Sequence, residues 1–198
     1  MNAAMAPRAA AGDRTYTDFF SGVTIGARSL SGKQPSPNED RTVWAALDGE
    51  VDNQRALRTK VSGGDHDFAS SMTTELLVHL YEDYGPAMAP MLEGKFAFAL
   101  WDARRRELLL VRDRFGKKPL FYSRQAGDLL FASELDALLA GMNQQPDGVK
   151  QLPPGHLLRW ERRSGRLQME RHAPPPVTPV LESTPFTASL GGLPCALL

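Results

Sequence analysis

The run Phe96-Ala97-Phe98-Ala99-Leu100-Trp101 restricts the fold more than any other feature. In an extended strand, successive side chains point to opposite faces. Phe96, Phe98 and Leu100 therefore share one face, and the small Ala97 and Ala99 share the other. A strand apolar on both sides is covered on both sides, with close approach over the alanines. This segment, 95–101, opens a series of strand-like stretches at 107–112, 119–123 and 128–132, with turns at 102–106 and 125–127. Residues 157–162 and 166–171 read as a further hairpin turning at Ser164-Gly165.

Helices are legible between and after these strands. A short apolar run, 43–47, ends at Asp48-Gly49, a strand followed by a turn. Asn53 is placed to cap a helix over 54–61, and Gly63-Gly64-Asp65 forms a loop. After Thr74, apolar residues recur at three- and four-residue steps up to Gly85, which predicts a helix stopped by glycine. Residues 134–139 predict a short helix ending at Gly141. Strands with helices packed on them in this order give an α+β domain with a largely antiparallel sheet.

Three regions follow. Residues 1–14 read as a tail, 15–172 as the folded domain, and 173–198 as an arm. Pro174-Pro175-Pro176 offers no amide donors to a ladder or helix, so the arm begins as a linker. Lys plus Arg and Asp plus Glu both number 23, and that balance calls for neither nucleic acid nor an anionic membrane. No apolar run approaches the length of a signal peptide core or a membrane span. The single cysteine, Cys195, cannot form an internal disulfide, which suggests a reducing, cytoplasmic setting. The four histidines (His66, His79, His156, His172) are scattered, so zinc spacing is absent and neither a metal nor another cofactor is expected.

Four motifs then identify a relationship. Gly94-Lys95-Phe96-Ala97-Phe98-Ala99-Leu100-Trp101-Asp102, Arg112-Asp113-Arg114-Phe115-Gly116-Lys117-Lys118-Pro119-Leu120-Phe121-Tyr122, Leu130-Phe131-Ala132-Ser133-Glu134 and Leu152-Pro153-Pro154-Gly155-His156 resemble ordered segments of the glutamine-hydrolysing asparagine synthetases. The resemblance covers about residues 22–172 and falls on the N-terminal, glutaminase domain of that family. It implies an N-terminal-nucleophile-hydrolase-like, four-layer αββα sandwich with mainly antiparallel sheets. It also implies chemistry in which ammonia is stripped from glutamine and passed to a second, ATP-dependent domain.

The family's site residues carry over poorly. Its nucleophile is a cysteine exposed at the mature N-terminus, whereas Met1 is followed here by Asn2. Cys195 lies behind the proline-rich arm, so no catalytic residue is expected. The family's N-G-E segment is matched by Asp48-Gly49-Glu50, so a carboxylate replaces the amide of the oxyanion hole. Loss of one such donor costs roughly 2.7–4 kcal/mol of transition-state stabilisation, and a negative charge there costs more. Glu50 is retained at a substrate-contacting position. The aspartate that would hold the substrate ammonium is Thr73, and the arginine that would clamp its carboxylate falls on Ser29, with Arg28 as its neighbour. The stretch 188–195 resembles a worn pyrophosphate-binding loop with Pro194 in place of aspartate, which implies no ATP binding.

These substitutions predict a glutaminase-like domain unable to hydrolyse glutamine. It would act as a structural or regulatory partner of a synthetase-type subunit, or self-associate, through the 95–122 region and the arm. Two alternatives stay open: an active amidotransferase subunit supplying ammonia for amide synthesis, and a decayed fragment of a longer synthetase.

Overall fold

The computed structural model describes residues 13–28, 33–61, 66–125, 127–142, 147–174, 189–190 and 193–194. Every strand pairing among them is antiparallel. A hairpin of β1 (Asp13–Asp18) and β2 (Val23–Arg28) comes first. β3 (Ser36–Pro37) and β4 (Val43–Val51) follow, then helices α1 (Gln54–Val61) and α2 (Thr73–Tyr84). A 3-10 segment, Gly85–Met91, leads into β5 (Gly94–Asp102) and β6 (Glu107–Arg112). Next are β7 (Phe121–Gln125), β8 (Asp128–Ala132), α3 (Leu135–Gly141), β9 (Val149–Gln151), β10 (His156–Glu161) and β11 (Arg166–Arg171). A two-stranded pairing of β12 (Ser189–Leu190) with β13 (Leu193–Pro194) lies in the arm.

The main sheet runs β11-β10-β6-β5-β4-β3. Its two faces are set by the alternation in β5. Phe96, Phe98 and Leu100 pack with Leu76, Leu80 and Tyr81 of α2 and with Leu57 and Val61 of α1. Ala97, Ala99 and Trp101 face Val23 and Ile25 of the hairpin and Leu120, Tyr122 and Leu129 of the second layer. That second layer comprises β1–β2 and a separate sheet, β8-β7-β9. Outside it, Ala137 and Leu138 of α3 cover Ala132, with Phe121 and Leu130 packed alongside. The order helix, sheet, sheet, helix is the expected αββα stacking.

Some details depart from the sequence reading. β1 begins at Asp13, within the stretch expected to be a tail, because its six residues pair fully with β2. Asn53 precedes α1, but its side chain clamps the chain after the 3-10 segment. It donates to the Met91 carbonyl at 2.9 Å and accepts from Glu93 N–H at 3.1 Å. Gly85 stops α2 as expected, with φ 56° and its N–H on the Tyr81 carbonyl. The proline-rich stretch after Pro174 lies outside the described residues.

The segment 112–118 is a loop rather than a strand extension, and buried charge holds its shape. Asp113 is fully buried, and its carboxylate accepts from Phe115 N–H at 2.9 Å and from Lys117 and Lys118 N–H at 3.1 Å. The Arg112 guanidinium donates to three carbonyls, those of Lys118, Gly116 and Leu152, at 2.6–2.7 Å. Gly116 has φ +63°, and a Cβ there would lie 2.7 Å from Pro154 Cγ. The most recognisable motif is thus a self-satisfied loop frame that fixes where Lys117 and Lys118 stand.

Candidate functional site

The split of the second layer leaves a cleft of about 1390 Å³ between β2 and β8. Ala46, Ala97 and Ala99 line its floor, so over these small side chains the layers leave a space where close approach was expected. Thr24 and Arg28 stand on the β2 wall, and Asp48, Gly49 and Lys118 close one end. Gln34 is fixed at the rim, where its Oε1 accepts from Leu47 N–H at 2.7 Å.

Asp48 is the central polar group. It shares strand parity with Ala46, so its side chain points to the cleft face of β4. Its Oδ1 pairs with Lys118 Nζ at 2.8 Å, and its buried Oδ2 has no hydrogen-bond partner. The next residue, Gly49, has φ +105°, a conformation that favours glycine. A Cβ at Gly49 would lie 2.0 Å from the Lys95 carbonyl oxygen and 3.1 Å from Lys118 Cε. The lysine stem therefore runs across the Gly49 backbone, and its ammonium ends on the carboxylate.

The other expected site residues separate. Arg28 and Gly49 line the cleft with Asp48. Glu50 is exposed at the far end of β4, opposite Lys95, outside the cleft lining. Thr73 opens α2, and its hydroxyl donates to Gln54 Oε1 at 2.8 Å, which ties it to α1 and away from the cleft. Ser29 and Cys195 lie outside the described residues. Lys118 and Gln34 were missed by residue-type reasoning, because the first belongs to a loop motif and the second reaches β4 from a long connection.

The histidines also differ from the sequence expectation. His66 and His79, thirteen positions apart, come together with ring centroids 4.6 Å apart. His172 is held separately. Its Nε2 donates to the Arg112 carbonyl at 2.9 Å. Burial lowers its pKa below the usual 6.5; the hydrogen bond to the Arg112 carbonyl opposes this, nearby His156 adds to the lowering, and Asp113 opposes it weakly. A depressed folded pKa means that the unfolded chain binds the proton more readily. The contribution of neutral His172 is complete above about pH 6.5 and is lost as pH falls toward the folded value. Chemical denaturation at pH 7.5 and 5.5 should show that His172→Gln loses less stability on going to 5.5 than the unaltered chain does, whatever the raised pKa of His66 adds in the opposite sense.

A four-layer antiparallel sandwich with a cleft beside Gly49 of β4 is the class II glutamine amidotransferase architecture, of the N-terminal-nucleophile-hydrolase type. The chain belongs to the glutamine amidotransferase domain family, whose model matches residues 22–170, and is related to the N-terminal domain of glutamine-hydrolysing asparagine synthetases. It is 36% identical over 157 residues to asparagine synthetase (glutamine-hydrolyzing) 3 of Arabidopsis thaliana, covering 79% of this chain and 26% of that protein. It is 40% identical over 111 residues to asparagine synthetase (glutamine-hydrolyzing) 2 of Bacillus subtilis, covering 56% of this chain and 15% of that protein. The chain thus spans about a quarter or less of these relatives. Among solved structures, the glutamine phosphoribosylpyrophosphate amidotransferase of B. subtilis superimposes with a TM-score of 0.61 at 20% identity, over 76% of this chain and 35% of that one. Among the described residues, no helix is long and apolar enough to cross a membrane.

Proposed function

We propose that this chain is a glutaminase-like domain that does not hydrolyse glutamine and that serves as a structural or regulatory partner of a synthetase-type subunit. The observation that carries this is the Asp48–Lys118 ion pair at 2.8 Å. By resemblance, Asp48 holds the place of an amide donor to a developing oxyanion. A carboxylate cannot donate there, and Lys118 is committed to neutralising it. The cleft is thereby closed by a salt bridge at the end where acyl transfer requires convergent donors.

The exposed apolar surface suits a docking role. Phe115 is 54% exposed at the tip of the retained 112–118 loop, and Phe19 and Phe20 at the β1–β2 turn are 91% and 85% exposed. Two consecutive rings this open at one turn offer apolar area that a partner could cover.

The test is ammonia and glutamate release from glutamine by the purified chain, alone and after mixing with a synthetase-type subunit. No turnover in either case, together with co-elution of the two chains, is expected. Turnover by the chain alone that is lost in Asp48→Ala overturns the proposal, because Asp48 would then be catalytic.

A further inference from the structure

On the opposite face of the main sheet from the cleft, four donor residues converge. Glu39 comes from the β3–β4 connection, His66 from the segment before α2, and His79 and Glu82 from one face of α2. One ligand atom from each lies within 4.8 Å of all the others. His79 Nδ1 is 3.1 Å from Glu82 Oε2 and 3.8 Å from Glu39 Oε2, and His66 Nδ1 is 3.7 Å from Glu82 Oε2. Four donors at about 2.0–2.2 Å around a tetrahedral zinc ion lie about 3.3–3.6 Å apart, so these three spacings are already near that value, and the remaining pairs, all within 4.8 Å, close by rotation of the partly exposed side chains.

We infer that Glu39, His66, His79 and Glu82 form a binding site for a divalent transition-metal ion of the zinc class, structural in role and separate from the cleft. The outer atoms of three of the four ligands are already tied, which leaves the inner atoms to converge. His66 Nε2–H donates to Asp83 Oδ1 at 2.8 Å, the carboxylate–histidine arrangement that fixes a ligating tautomer with Nδ1 turned inward. Glu39 Oε1 accepts from Asp67 N–H at 3.0 Å, and Glu82 Oε1 accepts from Asn38 Nδ2. His79 is 1% exposed and held by its packing, with the Phe68 ring set edge-on at 4.7 Å. The Glu39 side chain is 41% exposed and gives the ion a way in from solvent.

Charge and donor type agree with this assignment. Two carboxylates and two neutral imidazoles balance a divalent cation, and imidazole nitrogens favour zinc-like ions over magnesium or calcium. His79 takes the ion through Nδ1 as the neutral tautomer with its proton on Nε2, so the ion replaces the Nδ1–H that otherwise bonds Glu82 Oε2 and no imidazolate forms. The ion would pin the β3–β4 connection and the segment at His66 onto α2. No residue of the set lines the cleft.

The experiment titrates chelator-treated chain carrying Cys195→Ser, which removes the only thiolate, with zinc chloride by calorimetry, and follows Tm. One ion per chain and a raised Tm are expected. Glu39→Gln and His66→Gln should each weaken zinc binding at least tenfold while leaving metal-free Tm and circular dichroism unchanged, since both residues are partly open to solvent. Asp83→Asn should weaken it by about 10–100-fold through the imidazole it orients. Cobalt loading should give the visible bands of a four-coordinate site. Absence of saturable 1:1 binding, binding unaffected by Glu39→Gln and His66→Gln, or an equal Tm shift with magnesium overturns the inference.

Discussion

Asp113→Ala is expected to destabilise the domain by about 3–5 kcal/mol, with Tm falling by about 6–20 °C. The carboxylate is fully buried and receives three backbone N–H groups, those of Phe115, Lys117 and Lys118. Alanine leaves those donors without an acceptor in a place water reaches poorly. It also removes the negative charge beside the buried Arg112 guanidinium. Each effect alone is worth about 1–3 kcal/mol, and the effects overlap because all act through one loop. Asp113→Asn separates them. Its amide oxygen still accepts from Phe115 and Lys117, while its NH₂ meets the Lys118 N–H donor to donor, so an intermediate loss is expected. Urea denaturation of the three proteins measures the series. A loss below about 1 kcal/mol for alanine would mean that the loop is held by something other than this carboxylate. The effect reaches the cleft, because Lys118 meets Asp48 only while its backbone is held.

This loop shows how sequence legibility and structural role part company. The motif 112–118 identified the family at once, and in the fold it is a frame that holds Lys118 against Asp48. Periodicity placed both faces of β5 correctly, because alternation of large and small residues survives any tertiary context. It also located α1, α2, β6, β8 and β11 to within a residue or two. It did not find β1 or β9, whose mixed polar sequences become strands only by pairing with a neighbour. For the site, Asp48, Gly49 and Arg28 were legible from the resemblance, and they do share the cleft; the turn expected at Asp48-Gly49 is strand instead, because β4 stays paired with β5 through Val51. Lys118 was not, since nothing in a sequence reports that a residue seventy positions away closes onto a carboxylate. The His66–His79 pair was hidden for the same reason. Metal spacing in sequence is informative for short loops and silent when ligands come from three separate segments.

Trp101→Ala should be comparably costly, about 3–5 kcal/mol, and should open the cleft wall before it unfolds the sheet. Trp101 is fully buried on the alanine face of β5, and its indole N–H donates to Asp18 Oδ2 at 3.2 Å. The other oxygen of Asp18 accepts from Phe20 and Ser21 N–H and so shapes the β1–β2 turn. Burial of Asp18 works to raise its pKa, but the bonds from Ser21, Trp101 and Phe20 outweigh it and hold the carboxyl below its ordinary range. Two further contacts secure the hairpin, the Tyr16 ring stacked on Trp44 at 4.0 Å and Arg162 Nε on the Ser21 carbonyl at 3.1 Å. Removing the indole leaves a large void beneath β2 and an anchor without its donor. Hydrogen exchange should therefore rise first in β1 and β2, whose amides are held by a two-stranded ladder alone, while β5 and β6 stay protected. Trp101→Phe retains most of the volume and loses only the bond to Asp18, so it should cost about 1–2 kcal/mol. Equal losses for phenylalanine and alanine would mean that the indole hydrogen bond, and not the packing, holds the hairpin against the sheet.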